Sequence, residues 1–381
     1  MKQRWWMLAS LLLAGGGAAM WLLGGSPRAE PPRVDAVAAI GEPGGDSAHL
    51  LGVQPHLTPA DYACAQCLEH KLEGYLDQAR RRGWLTPRTV VVLPEYVGAW
   101  LVAAHEVPRV QGTRSTATAM ALILALHPVA LVRSLATARS PDRLREALFR
   151  LKAAEVAAIY DGVMSRLAAR HRITLVGGSL LLPEPRVDNG HLRAGSGPLY
   201  NVSVVYDASG RALSPPVRKV FPTAQERPFV APGRAADLPV FDTPAGRLGV
   251  LLCADSWYPE PYEALVRQGV EILAVPSYVA GDGTLGAPWG GYSGAAAPPD
   301  VNLADRGRIT EGEAWVRYAL PARLPRSVRA AIHVFLRGTL WDLGDDGASY
   351  GLLRTGRGVE AAHLAPPGPD GAALVSVWTR P

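Results

Sequence analysis

Gly249-Val250-Leu251-Leu252-Cys253-Ala254-Asp255-Ser256-Trp257-Tyr258-Pro259-Glu260 is the stretch that decides how this chain folds. An apolar run ends on a thiol, and a helix-opening Pro-Glu pair follows. A strand that stops at Cys253 and turns into a helix presents that side chain at the edge of a sheet. The following backbone N–H groups point the same way, toward any charge that develops there. A Cys in such a run is ordinarily a small buried hydrophobe. At a strand-to-helix turn it also fits a nucleophile, because helix N-termini and nearby cations favour the thiolate.

Two distant stretches share this design. Val90-Val91-Val92-Leu93-Pro94-Glu95 ends an apolar run on a carboxylate. Val217-Arg218-Lys219-Val220-Phe221-Pro222 follows a strand-like segment and offers an amine, with Glu226 placed to pair with it. Taken singly, Glu95 reads as a loop glutamate and Lys219 as a solvated surface lysine. Together, a thiol, a proton acceptor and a cation are the parts of a covalent catalyst that must stabilise an oxyanion.

Around these stretches the periodicity alternates between strand and helix. Apolar spacing predicts helices at 61–82, 153–171 and 260–268. Strands are expected at 89–93, 173–182, 271–276, 330–337, 349–353 and 373–378. Hairpins are expected at 200–206 with 211–220, turning at Asp207-Ala208-Ser209-Gly210, and at 238–241 with 247–252. The segment from 26 to about 53 reads as a Pro/Gly/Ala-rich tether with a first strand near 34–40. This pattern argues for an α/β domain with two packed sheets covered by helices. Insertions at 100–150 and 281–312 exceed a minimal core. The first carries an apolar stretch at 117–135, broken by His127-Pro128, that reads as a surface-packed or membrane-resting helical hairpin. The second, rich in Gly, Ala and Pro, reads as a mobile cover.

These motifs resemble the nitrilase superfamily, the carbon–nitrogen hydrolases. Leu93-Pro94-Glu95, Arg218-Lys219 with Pro222 and Glu226, and Gly249–Glu260 are similar to the family's three signatures. Pro276-Ser277 and Gly347-Ala348-Ser349 resemble its later turns. The family's Ala-x-Glu-Asn helix is not reproduced at 322–327. The resemblance implies a four-layer αββα sandwich and a homodimer. It implies Glu95 as general base, Lys219 as oxyanion stabiliser and Cys253 as nucleophile. Glu226 would position the lysine or the substrate, and the Ala254 N–H would complete the oxyanion hole. Trp257 is placed to line the pocket, as are Tyr258, Trp289 and Tyr292. The implied activity is thiol-dependent cleavage of a C–N bond in a small amide, less readily a nitrile. Two other readings stand beside it: a membrane-associated N-acyltransferase that passes the acyl group to an amine, and a catalytically inactive tethered module.

The 381 residues, 48% hydrophobic and 19% charged, can bury a large core. A net charge of +5 without a dense basic run does not read as a nucleic-acid footprint. The nine His are scattered without ligand spacing, so no metal or other cofactor is expected. Lys2 and Arg4 precede an uncharged apolar run at 5–25, long enough to span a bilayer. It reads as an inner-membrane anchor, with a cleaved signal segment as the alternative. The basic flank places the body outside, facing the periplasm or the cell exterior. The expected organisation is an anchor at 1–25, a linker at 26–35 and one large domain at 36–380. Cys64 and Cys67 read as two small residues on one helical face, or as a local disulfide in an oxidising compartment.

Overall fold

The computed structural model describes residue 24 and residues 29–44, 46–363 and 371–380. Apart from Gly24, the N-terminal apolar run lies outside the described residues. Among the described residues no single helix is long and apolar enough to cross a membrane.

Two six-stranded sheets face each other. The first runs in the order Ala36–Ile40, Ala373–Thr379, Ala48–Gln54, Thr89–Val92, Thr174–Val176, Val205–Tyr206. The second runs Val240–Thr243, Gly246–Val250, Ile272–Ser277, Ala330–Phe335, Tyr350–Thr355, Gly358–His363. Each holds three parallel strands at its centre: 48–54, 89–92 and 174–176 in one, 246–250, 272–277 and 330–335 in the other. Helical crossovers join them. Ala65–Arg81 and Ala153–His171 serve the first sheet, and Pro259–Arg267 and Glu311–Tyr318 the second.

Alternation along each strand sorts its side chains between two cores. Val90 and Val92 pack with the second sheet, whereas Val91 and Leu93 pack outward among Leu68, Leu72 and Val163 of the covering helices. The sheets approach closely: a Cβ on Gly52 would lie 2.9 Å from Val334, and one on Gly351 would lie 2.1 Å from Val377. A buried polar link also crosses the gap, where Gln54 Oε1 accepts from both the N–H and the hydroxyl of Ser349. On the far side, Gly249 lies against Leu265 of the helix Pro259–Arg267.

The mixed α/β architecture agrees with the sequence reading, while individual strands differ; the expected hairpin at 200–206 with 211–220 is split, with Leu199–Ser203 and Val205–Tyr206 in different sheets. Ala48–Gln54, expected inside the tether, is a wholly buried central strand. The expected strand at 173–182 is two strands, Thr174–Val176 and Leu180–Pro183, in different sheets. Leu180–Pro183 joins Leu199–Ser203 and Val217–Arg218 in a three-stranded sheet. The break falls at Gly177-Gly178, where Gly178 adopts φ +70°; a Cβ there would lie 2.1 Å from the Pro94 carbonyl. Within the segment 281–312, Trp289 is 1% exposed and packs among Trp257, Tyr292 and Tyr318.

In the other insertion, Thr116–Leu126 and Pro128–Thr137 meet at 102° and are followed by Arg143–Leu151. Cys64 and Cys67 form a disulfide, because Cys64 is the N-cap of Ala65–Arg81 and not a residue on its face.

Gly178→Ala therefore meets the backbone that carries Glu95, while Gly83→Ala, at φ +72° with open space around it, meets nothing. Left-handed strain alone costs about 1–2 kcal/mol. Denaturant unfolding of the two variants should show Gly178→Ala as clearly the more destabilised. Equal losses would contradict the close contact with Pro94.

Candidate active site

Three chain segments deliver the reactive groups to one place. Glu95 follows the C-terminal end of Thr89–Val92, and Cys253 follows that of Gly246–Val250. Both lie just past the carboxyl ends of parallel strands, where α/β sites gather. Lys219 follows Val217–Arg218, the edge strand of the small third sheet.

The geometry is tight. Lys219 Nζ donates to Glu95 Oε1 at 2.8 Å and to Glu226 Oε2 at 2.7 Å. Lys219 and Glu95 are each only 1% exposed. Asn201 Nδ2 bridges the two carboxylates, 2.9 Å from Glu95 Oε1 and 2.9 Å from Glu226 Oε1. The Tyr96 hydroxyl also donates to Glu226 Oε1, and the Thr223 N–H donates to Glu226 Oε2 at 2.7 Å. Cys253 Sγ lies 3.7 Å from the Tyr278 carbonyl and feels the charges of Glu95 and Lys219.

The backbone is held in uncommon conformations at both reacting ends. Cys253 has φ +48° and Tyr96 has φ +63°, the left-handed region that non-glycine residues avoid. Such strain persists only where the surroundings over-determine it. At Cys253 the surroundings include Asp255. Its Oδ1 accepts the N–H groups of Val220 and Phe221 at 3.0 and 2.8 Å, and its Oδ2 accepts the Leu252 N–H at 3.2 Å. One carboxylate thus ties the segment after Lys219 to the turn that carries the thiol.

Electrostatics separate the two glutamates. Burial pushes the Glu95 carboxyl above its usual range, although the Lys219 ammonium opposes the shift. Burial acts the same way on Glu226. There the Lys219 charge and the bonds from Lys219, Tyr96 and Thr223 prevail, and its pKa falls below the usual range. Burial disfavours the Lys219 ammonium, but the charges of Glu226 and Glu95 outweigh it and hold the pKa well above normal. Burial and the Glu95 charge push the Cys253 thiol up, so it rests protonated. Burial pushes Asp255 up to about 7 against its three N–H donors. Two carboxylates driven in opposite directions around one cation divide into a proton carrier and a fixed anion.

Glu95, Lys219, Glu226, Cys253, Ala254 and Trp257 all line one cavity of about 1190 Å³, with Tyr258, Trp289 and Tyr292. The sequence reading did not single out Tyr96, Asn201 or Tyr278. Asn201 carried a usable signal: an Asn in the apolar run Leu199–Ser203 is costly to bury unless it is hydrogen bonded. Tyr96 and Tyr278 carried none, since a Tyr beside a strand end is common. Among the described residues, Glu73, Asp77 and His171 form a cluster able to hold a metal. None of the three lines the cavity.

The carbon-nitrogen hydrolase family model matches residues 71–329. Over 79 residues the chain is 38% identical to a bifunctional nitrilase/nitrile hydratase from Lupinus angustifolius, covering 21% of this chain and 22% of the relative. Over 86 residues it is 34% identical to N-carbamoylputrescine amidase from Arabidopsis thaliana, covering 22% and 28%. The matched stretches thus span about a quarter of these curated relatives.

Among solved structures, an amidase from Nesterenkonia sp. AN1 in complex with acrylamide superposes with a TM-score of 0.52. The identity is 16%, over 89% of this chain and 93% of that one. A second structure of that amidase, carrying the acetamide moiety of fluoroacetamide on its active-site cysteine, gives 0.51 at 17% identity over 90% and 94%. The nitrilase-like fold agrees with these neighbours, and the family match extends over most of the chain: this protein belongs to the carbon-nitrogen hydrolase family and is an enzyme of that family.

Proposed function

We propose that this enzyme hydrolyses the C–N bond of an amide through an acyl group carried on Cys253. The observation that carries the reading is the buried Glu95–Lys219–Glu226 set beside Cys253, the free thiol of the chain. In the first step Glu95 takes the thiol proton as Sγ bonds to the amide carbon. The carbonyl electron pair moves onto oxygen, where the Lys219 ammonium and the Ala254 N–H stabilise it. Glu226, held ionised, keeps the ammonium charged and aimed. The oxyanion collapses, the C–N bond breaks, and the amine leaves with the proton from Glu95. A thioester remains.

Glu95 then takes a proton from water, whose oxygen bonds to the acyl carbon. The C–S bond breaks, the thiolate recovers its proton, and a carboxylic acid departs. Trp257 and its aromatic neighbours bound the substrate on one side. The amidase from Nesterenkonia sp. AN1, whose cysteine carries an acetamide moiety, supports an amide over a nitrile.

The direct test is ammonia release from a panel of primary amides. The wild type should release it without an added amine, and Cys253→Ala should not. Strict dependence on an amine acceptor would replace hydrolysis by acyl transfer.

Lys219→Met removes both the stabilising charge and the partner of two buried carboxylates. The expected loss in kcat is about 10²–10³. Unfolding free energy should fall by about 3–5 kcal/mol, as when a buried ion pair loses one member. A kcat within tenfold of wild type would refute the role given to the ammonium.

Glu95 works as a base only when ionised, and burial holds its pKa above the ordinary glutamate value of 4.5. The acid limb of kcat/KM against pH should therefore inflect above 4.5. The raised thiol and ammonium pKa values place no basic limb near neutral pH. Full activity maintained below pH 4.5 would exclude Glu95 as the base.

A further inference from the structure

The cavity is much larger than the chemistry needs. At about 1190 Å³ it exceeds the roughly 300–1,000 Å³ typical of small-molecule pockets. Its lining divides in two on either side of Cys253. Toward the segment 281–312 it is aromatic, with Trp257, Trp289, Tyr292 and Trp315 packed on one another. Toward the insertion at 100–150 it is apolar, with Trp100 among aliphatic residues. There Met120, Ala121 and Leu124 of Thr116–Leu126 face Leu148 and Phe149 of Arg143–Leu151. Phe229 closes this arm, its ring stacked on Phe149 with centroids 6.1 Å apart.

Thr116, Asp342 and Arg145 in this arm are engaged by protein groups. Thr116 donates to Asp342 at 2.7 Å, and Arg145 pairs with Asp142 at 3.2 Å while lying over the Phe229 ring at 5.5 Å. The apolar character continues outward. Leu144 lines the arm and is 54% exposed, and Val129 and Val132 on the neighbouring helix Pro128–Thr137 are 64% and 68% exposed. Large aliphatic side chains left in water beside an aliphatic trough that ends at a reactive thiol point to an aliphatic ligand. The trough is continuous with the reacting groups, so its occupant is part of the substrate.

We propose that this arm holds the extended aliphatic chain of the acyl group, so that the substrate is a medium- to long-chain acyl amide. The proposal rests on the reading of Cys253 as the acyl carrier. The amide carbon sits at Cys253, and the chain runs between Thr116–Leu126 and Arg143–Leu151 toward Leu144. The leaving amine then faces the aromatic side. Each methylene buried in the arm strengthens binding without altering the bond being cleaved.

The test separates binding from catalysis. Cys253→Ala is titrated by calorimetry with butanamide, hexanamide and octanamide. Affinity should rise about threefold to fourfold per added methylene, the gain for moving one from water into an apolar site. Ala121→Leu, at an exposed wall position chosen so that folding is preserved, shortens the arm. In the Cys253→Ala background it should lower octanamide affinity about tenfold relative to butanamide. Leu148→Arg provides a second block, read the same way.

Equal affinity across the series, binding of none of the three amides, or no effect of either block would overturn the proposal. Wild-type turnover keeps the two readings apart. Chain-dependent binding without ammonia release by the wild type would sink the catalytic reading and leave the arm standing. Equal kcat/KM for butanamide and octanamide would sink the arm and leave the catalysis standing.

Discussion

A buried ammonium held between two carboxylates is the constraint on which the site depends. Lys219 is 1% exposed, and removing such a cation from water costs several kcal/mol unless partners replace the water. Glu95 and Glu226 supply that replacement, and Asn201 ties both of them together from the far side. One cation cannot fully compensate two buried anions in a low-dielectric interior. The excess negative charge is relieved where ionisation is least supported. Glu226 receives additional donors from Tyr96 and Thr223 and stays ionised, so the adjustment falls on Glu95. The group beside the thiol thereby becomes the one able to exchange a proton. The division of labour follows from the unequal number of hydrogen bonds on the two carboxylates.

Holding that arrangement requires three segments from separate parts of the fold to stay in register. The two large sheets fix the ends of Thr89–Val92 and Gly246–Val250, and Asp255 links the third segment to the second through backbone N–H groups. Left-handed backbone at Tyr96 and Cys253 aims the side chains. Close approach at Gly178 sets the Pro94-Glu95 turn against the start of the third sheet. The strain is local and the supports around it are buried.

Much of this was legible from residue order. The helix Ala153–His171 was read to its ends because its apolar stripe is long, and Arg172 closes it in the left-handed C-cap conformation. Glu95 and Cys253 end apolar runs and Lys219 follows a strand-like segment; they stood out only together, and the structure brings all three to one cavity. The strand Ala48–Gln54 was hidden because the Gly- and Pro-rich residues before it outweigh a short apolar run buried on both faces. The break at Gly177-Gly178 was hidden because Gly inside an apolar run does not announce a change of sheet. The aromatic packing within 281–312 was hidden because Trp289 and Tyr292 meet the distant Trp257, a contact that composition does not contain. Asn201 lies in a strand whose role as a bridge depends on two glutamates far from it in sequence.

Both insertions contribute to the cavity lining, whereas Glu95, Lys219 and Cys253 each follow a strand of the core. The measurement that bears most directly on the chemistry is intact-protein and peptide mass spectrometry of enzyme quenched in acid during amide turnover. Cys64 and Cys67 are joined to each other, which leaves Cys253 as the free thiol to carry a label. The account predicts a single acyl increment on the Cys253 peptide, labile to hydroxylamine and absent from Cys253→Ala. Turnover that proceeds undiminished in Cys253→Ala, with no acyl increment in the wild type, would contradict it.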